Sequence, residues 1–127
     1  MNELIYSKYG LTYEVDDVLN MKYNADSFDI IIEKGLLDSL LCKKECDQDI
    51  NKMMKEIYRV LSNKGIYISV SHGDPKRREI YFDRNQWEFS YEIPSIQLEI
   101  ESENIGKEKK KTQEKISEFY VYIVKKR

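Results

Sequence analysis

Glu33 and Lys34 close an apolar run, Ile30-Ile31-Ile32, within the stretch "FDIIIEKGLLDSLL" that spans residues 28–41. Three β-branched residues in succession favour strand over helix, and a run that is apolar at every position reads as a strand buried on both faces. Open α/β sheets bind ligands just past the carboxyl ends of their central strands. A carboxylate and an ammonium at that place are therefore candidates to meet a ligand. The second group with chemical potential is "CKKEC", with Cys42 and Cys46 as the chain's two cysteines. A zinc site takes about four N, S or O ligands, and the one histidine, His72, lies far along the chain. The pair therefore reads as two reduced thiols near the start of a helix, and no metal is expected.

These residues need elements to position them. "LTYEVDDV" (11–18) alternates Leu11, Tyr13 and Val15 with polar residues and ends at Asp16-Asp17, the period of a strand closing at an acidic corner. A loop, "LNMKYNADS", leads to a strand over 29–33. From Asp47, the apolar positions Ile50, Met53, Met54, Ile57, Val60 and Leu61 fall at helical spacing. Asp47 and Asp49 lie at the positive end of that helix, and Arg59 and Lys64 near the negative end. Gly65 stands where a glycine would stop it, and "GIYISVS" follows as another β-branched strand. Strand 29–33, helix 47–62 and strand 66–71 make one right-handed β-α-β unit with parallel strands. "HGDPKRR" is a polar loop, with a short helix expected near 76–82. "QWEFSYEI", "SIQLEIES" and "EFYVYIVKK" are strand-like with no helical period between them, so the carboxyl-terminal part is antiparallel. The charge run "ENIGKEKKKTQEK" reads as a solvated loop, since its lysines alternate with glutamates and no aromatic sits among them.

The totals bound the rest. A chain of 127 residues is one domain at most. With 21 Lys plus Arg against 23 Asp plus Glu, the net charge of -2 argues for neither a nucleic-acid nor a membrane surface. No run approaches the roughly 18 apolar residues of a membrane span, and "MNELIYSKYG" has no apolar signal core, so a cytoplasmic location is expected.

Two blocks carry a resemblance. "YEVDDVLNMKYNADSFDIIIEKGLLDSLL" and "EIYRVLSNKGIYISVS" resemble the third-to-fourth-strand and fifth-strand regions of class I S-adenosylmethionine-dependent methyltransferases. "EKGLLDSLL", with the polar loop after "SVS", is similar to the methyltransferase-like 13 and elongation-factor-1-alpha lysine methyltransferase group. The resemblance implies a partial Rossmann-like α/β sheet, in which the third, fourth and fifth strands are parallel and the carboxyl-terminal strands antiparallel. In that superfamily the last strand inserts between the fifth and sixth, which would bury "FYVYIV" on both faces. The glycines at 10, 35, 65, 73 and 106 form no G-x-G, and the acid that closes the second strand has no counterpart. Residues 1–127 therefore read as a single, amino-terminally truncated methyltransferase domain.

The resemblance also assigns residues. Asp17 and Val18 match the positions that meet the adenine, and Glu33, Lys34 and Gly35 match the corner beside the sulfonium of S-adenosylmethionine. Binding of that cofactor by this chain is expected to be weak or absent. The implied reaction is methylation of a protein lysine or terminal amine, in which Glu33 and Asp38 hold or orient the amine while Ser71 and His72 line the substrate entrance. His72 carries an imidazole, a side chain suited to accepting a proton. Plainer readings stand beside each: Asp17 as a turn-capping loop aspartate, Asp38 as an exposed acid in the first turn of a short helix, and His72 as a solvated loop residue. A different class is also open, a catalytically inactive domain serving as a partner or structural subunit. The fourth strand lacks its usual neighbours, and its bare edge points to a homodimer.

Overall fold

The computed structural model describes residues 9–93, 95–100, 111–116 and 119–127. Strand β1 (Phe28–Lys34) leads into the short helix α1 (Leu36–Leu41), helix α2 (Asp47–Val60) and strand β2 (Leu61–Ser71). Helix α3 (Pro75–Arg78), a 3-10 turn at Glu79–Tyr81, and strands β3 (Trp87–Glu92), β4 (Ser95–Ile100), β5 (Lys111–Ile116) and β6 (Tyr120–Lys126) follow. A four-stranded sheet has the order β1-β2-β6-β3, and β4 and β5 form a separate antiparallel pair. β1 and β2 are parallel, with Ile30 opposite Ile66 and Ile32 opposite Ile68. The last strand lies antiparallel between β2 and β3, as the resemblance implied.

α2 forms for the reason its spacing gives. Its buried residues are Ile50, Met53, Met54, Ile57 and Val60, with Asp47 and Asp49 in the first turn and Arg59 in the last. They pack with Leu37 and Leu40 of α1 onto one face of the sheet, against Tyr67, Trp87, Tyr122 and Val124. Asp74 caps α3 by accepting from the Arg77 backbone N–H, with Pro75 at the first helical position.

Five expectations need correction. Residues 11–16 form no strand, so only the fourth and fifth strands of the expected parallel set exist here; the segment ends in an isolated bridge between Asp17 and Asn20. Alternation alone does not make a strand where no edge receives it. β1 is buried on neither face along most of its length. Ile30 and Ile32 are 56% and 67% exposed, because β1 is the edge of the sheet. β6 is likewise buried on one face only, through Tyr122 and Val124, while Val121 and Ile123 keep part of their surface.

Gly65 does not stop α2. The helix ends at Val60, where Leu61 is already extended, and Gly65 lies inside β2 at a register irregularity against β1. There Lys64 takes the left-handed φ of 61°. The end of the charge run is not loop either, since Lys111–Ile116 pairs with β4 through its backbone, a ladder that requires no apolar period. Residues 103–110 of that run lie outside the described residues.

Candidate functional site

The carboxyl ends of β1 and β2 lie side by side because the strands are parallel, and this juxtaposition builds the site. Gly35 makes the turn out of β1 with φ 75°, a left-handed conformation, and its N–H donates to the Val70 carbonyl at 3.0 Å. Glu33, in the position before Lys34, points into the helix-covered side and is only 9% exposed. Its Oε1 accepts from the Tyr67 hydroxyl at 3.0 Å and from the Ser69 hydroxyl, and its Oε2 accepts from the Leu36 N–H at 2.9 Å. Burial and the neighbouring Glu33 charge push the Tyr67 phenol well above its ordinary pKa.

Asp38, in the first turn of α1, reaches across to the end of β2. Its Oδ1 accepts from the Ser71 hydroxyl and from Arg78 Nη2 at 2.9 Å, and its Oδ2 accepts from the His72 N–H at 2.9 Å. Burial works against the charge on Asp38, but the hydrogen bonds from Ser71, His72 and Arg78 outweigh it and hold the carboxyl below its ordinary pKa. Ser71 is itself buried, and its oxygen accepts from Arg78 Nε at 2.9 Å and the Gly73 N–H at 3.2 Å. The Tyr122 hydroxyl donates to the Gly73 carbonyl, so the loop after β2 is fastened from three sides. His72 is exposed, with its ring 4.3 Å from that of Phe119. Lys34 Nζ lies 5.3 Å from the same phenyl ring.

The structure thus brings Glu33, Lys34, Gly35, Asp38, Ser71 and His72 to one end of the sheet. Asp17 and Val18 belong to a different cluster. Asp17 Oδ1 accepts from the Leu19 N–H at 2.9 Å, which is turn capping, and Val18 packs against the core. The segment that follows is pinned to α2. Glu56 accepts from the Met21 N–H at 2.7 Å and pairs with Arg59, which donates to the carbonyls of Met21 and Tyr23 at 3.0 and 2.7 Å. Among the described residues no hydrogen bond or ion pair joins Asp17 or Val18 to the Glu33–Gly35 corner. Cys42 and Cys46 are unpaired thiols, one at the end of α1 and one just before α2.

Sequence reasoning did not find Arg78, Tyr67, Ser69 or Tyr122. Arg78 stands among the three basic residues Lys76, Arg77 and Arg78, and only the fold selects it for Asp38. A signal was present for Tyr67 and Ser69: their side chains alternate along "GIYISVS" with those of Ile66, Ile68 and Val70, so a polar group beside Glu33 was readable once the pairing was known.

A family model described as a methyltransferase domain matches residues 5–120. The chain belongs to this methyltransferase family. EEF1A lysine methyltransferase 4 of Mus musculus is 26% identical over 89 residues, covering 64% of this chain and 35% of that protein. The Bos taurus protein of the same name is 28% identical over 88 residues, covering 63% and 34%. The chain spans about a third of the length of these curated relatives. Among solved structures, a Thermotoga maritima protein described as a SAM-dependent methyltransferase, possible histamine N-methyltransferase, aligns with a TM-score of 0.60 at 17% identity, over 98% of this chain and 68% of that one. A SAM-dependent methyltransferase from Methanosarcina mazei aligns at 0.52 and 14%, over 89% and 66%. The fold is therefore that of class I S-adenosylmethionine-dependent methyltransferases.

That fold implies S-adenosylmethionine, and the residues present fit one flank of it only. A Cβ added at Gly35 would meet nothing within 4 Å, so the corner has room beside it. Lys34 borders that room and is exposed. Both Glu33 oxygens, however, are engaged by Tyr67, Ser69 and Leu36, and no two of the chain's glycines form the G-x-G that would let backbone approach the methionine part. Among the described residues no helix is long and apolar enough to cross a membrane.

Proposed function

We propose that this domain serves methylation of a protein lysine or terminal amine at the carboxyl ends of β1 and β2. The observation that carries the reading is the convergence there of Glu33, Asp38 and the loop that starts at His72, on the sheet of a methyltransferase fold. The names of the Mus musculus and Bos taurus relatives support a lysine as acceptor and elongation factor 1-alpha as the protein to try first. When bound, S-adenosylmethionine supplies an electrophilic methyl. Asp17, Val18, Glu33, Lys34 and Gly35 are the residues proposed to border it.

The chain's own groups do the positioning. Asp38 accepts from the His72 N–H and from Arg78, so it is proposed to fix the substrate loop at the mouth of the crevice. Glu33 holds the start of α1 through the Leu36 N–H and thereby sets the Gly35 turn. Ser71 links Asp38 to Arg78. His72, exposed beside Phe119, is the group proposed to take the proton from the incoming ammonium, since methyl transfer requires the neutral amine. The two unpaired thiols support a reducing, cytoplasmic setting.

A second reading has its own support. Glu33 and Asp38 are each held by three donors, and the residues present complete only one flank of a cofactor site. Both facts suit an inactive domain that acts as a partner or structural subunit. Transfer of tritiated methyl from S-adenosylmethionine to elongation factor 1-alpha separates the two. The protein should be purified from its own cells, so that any segment flanking these residues is present. Label on a lysine or terminal amine supports catalysis, and its loss in His72→Ala ties it to this site. No label on any protein favours the structural role.

A further inference from the structure

Gly73 is buried, and its φ lies outside the left-handed region, so backbone conformation does not call for a glycine there. Space does. A Cβ at this position would fall on Nε, Cζ and Nη2 of Arg78, because the guanidinium lies where a side chain of residue 73 would be. The same guanidinium donates through Nε to Ser71 Oγ and through Nη2 to Asp38 Oδ1, each at 2.9 Å. Ser71 in turn donates to Asp38 Oδ1, so three side chains close a ring of hydrogen bonds. That ring holds the backbone around His72. Asp38 Oδ2 accepts from the His72 N–H at 2.9 Å, Ser71 Oγ accepts from the Gly73 N–H at 3.2 Å, and Tyr122 of β6 donates to the Gly73 carbonyl. Arg78 is drawn in for this purpose, with 13% of its side chain exposed against 77% for Arg77 beside it. The imidazole itself stays exposed, against the ring of Phe119.

We infer that Arg78 is a positioning residue for His72, and that the absence of a side chain at Gly73 is what admits its guanidinium. The inference rests on the reading of His72 as the group that takes the proton of the incoming ammonium, and it gives that exposed loop residue the fixed geometry such a transfer needs. An arginine suits the task and a lysine does not. The planar fork reaches two acceptors at once, Asp38 on α1 and Ser71 at the end of β2, whereas an ammonium is a single point of charge. Arg78 thus acts through Asp38 and Ser71 and has no contact with the reacting groups in this scheme.

The chain's single histidine makes the test direct, because isotope-labelled histidine gives one imidazole signal. In wild type the ring current of Phe119 should displace that signal, and Phe119→Leu should return it to the position of a solvated imidazole. Arg78→Ala, and Gly73→Ala with every donor and acceptor retained, should do the same while far-ultraviolet circular dichroism is unchanged. Arg78→Lys keeps a charge for Asp38 but leaves Ser71 Oγ without its partner, so it should return the signal part of the way. Should either alanine variant fail to fold, Arg78→Lys is read. In the methyl-transfer assay Arg78→Lys and Gly73→Ala should lower kcat by roughly a hundredfold with KM for the acceptor little changed. Folded Arg78→Ala and Gly73→Ala proteins that keep the wild-type signal overturn the proposal, as does Arg78→Lys matching wild type, which would reduce the arginine to a counter-charge. A wild-type signal that Phe119→Leu does not move overturns it too. A wild type with the displaced signal, lost as expected in the variants, that transfers no label supports the positioning and overturns the catalytic reading alone.

Discussion

Arg78 ties two groups together at the strand ends. It donates to both Asp38 and Ser71, and with side-chain exposures of 13% and 18% its pair with Asp38 is shielded enough to matter. Replacing Asp38 by Asn leaves the guanidinium without its counter-charge. We expect a loss of about 1–3 kcal/mol in urea unfolding at pH 7. The pH dependence has a definite sign. The folded carboxyl sits below its ordinary value of 3.8, so its contribution is full above that value and fades as pH falls below it. The difference between wild type and Asp38→Asn should therefore shrink on acidification through that range, and a constant difference would argue against the ion pair. Two tyrosines give the opposite arm. Burial drives Tyr67 well above 10, and burial, aided by Asp74 and opposed by Arg78, pushes Tyr122 up to about 12. Their neutral forms are favoured by folding, so stability should decline as pH rises above 10. A spectrophotometric titration should show these phenols ionising late in wild type, with the late fraction reduced in Tyr67→Phe. These residues were hard to see in the sequence because their partners are distant along the chain: Arg78 is separated from Asp38 by 40 positions, and Tyr67 from Glu33 by 34.

The same distinction operates between elements. Helix α2 was legible to within two residues because its burial repeats with the helix's own period and needs only one surface to face. The expected strand over 11–16 had an equally regular pattern but no partner strand, and periodicity does not supply hydrogen bonds. Its neighbour, the 21–26 segment, is instead held by Glu56 and Arg59. Arg59→Ala should raise amide exchange at Met21 and leave the β2 core protected, and equal protection at Met21 in both proteins would refute that anchoring. Glycines mark the remaining joints. Gly35 has φ 75° with open space around it, so Gly35→Ala should cost about 1–2 kcal/mol through backbone conformation alone, and Gly35→Asn should recover part of it. Gly65 has an ordinary φ, but a Cβ there would sit 2.8 Å from the Ser62 carbonyl oxygen. Gly65→Ala should destabilise with no relief from Asn, since the obstacle is steric. Thermal melts of the four variants distinguish strain from collision.

At the scale of the molecule, hydrophobic pattern marks the surface able to be covered and leaves open what covers it. "FDIII" and "FYVYIV" read as doubly buried, whereas in the first only Ile31 is even half-buried, and in the second Tyr122 and Val124 are buried while Val121 and Ile123 are half-buried. The mixed sheet and the β-α-β unit were available from the chain's own pattern and the place of the last strand from the resemblance, whereas exposure depends on neighbours that these 127 residues do not name. The cofactor follows the same logic. The corner at Gly35 and the strand ends are built, but the contacts that a glycine turn and a ribose-binding acid make to S-adenosylmethionine have no counterpart in these residues. Losing two charge-assisted hydrogen bonds costs about 3 kcal/mol or more, over a hundredfold in affinity. Calorimetric titration of the 127-residue chain with S-adenosylmethionine should accordingly show weak binding or none, and Lys34→Ala or Asp17→Ala should change little. Micromolar binding would overturn this expectation. It would require substitute contacts, and the variant that abolished the heat would identify them: Asp17→Ala would place the adenine at the turn beside Val18, whereas Lys34→Ala would place the bound molecule at the Gly35 corner.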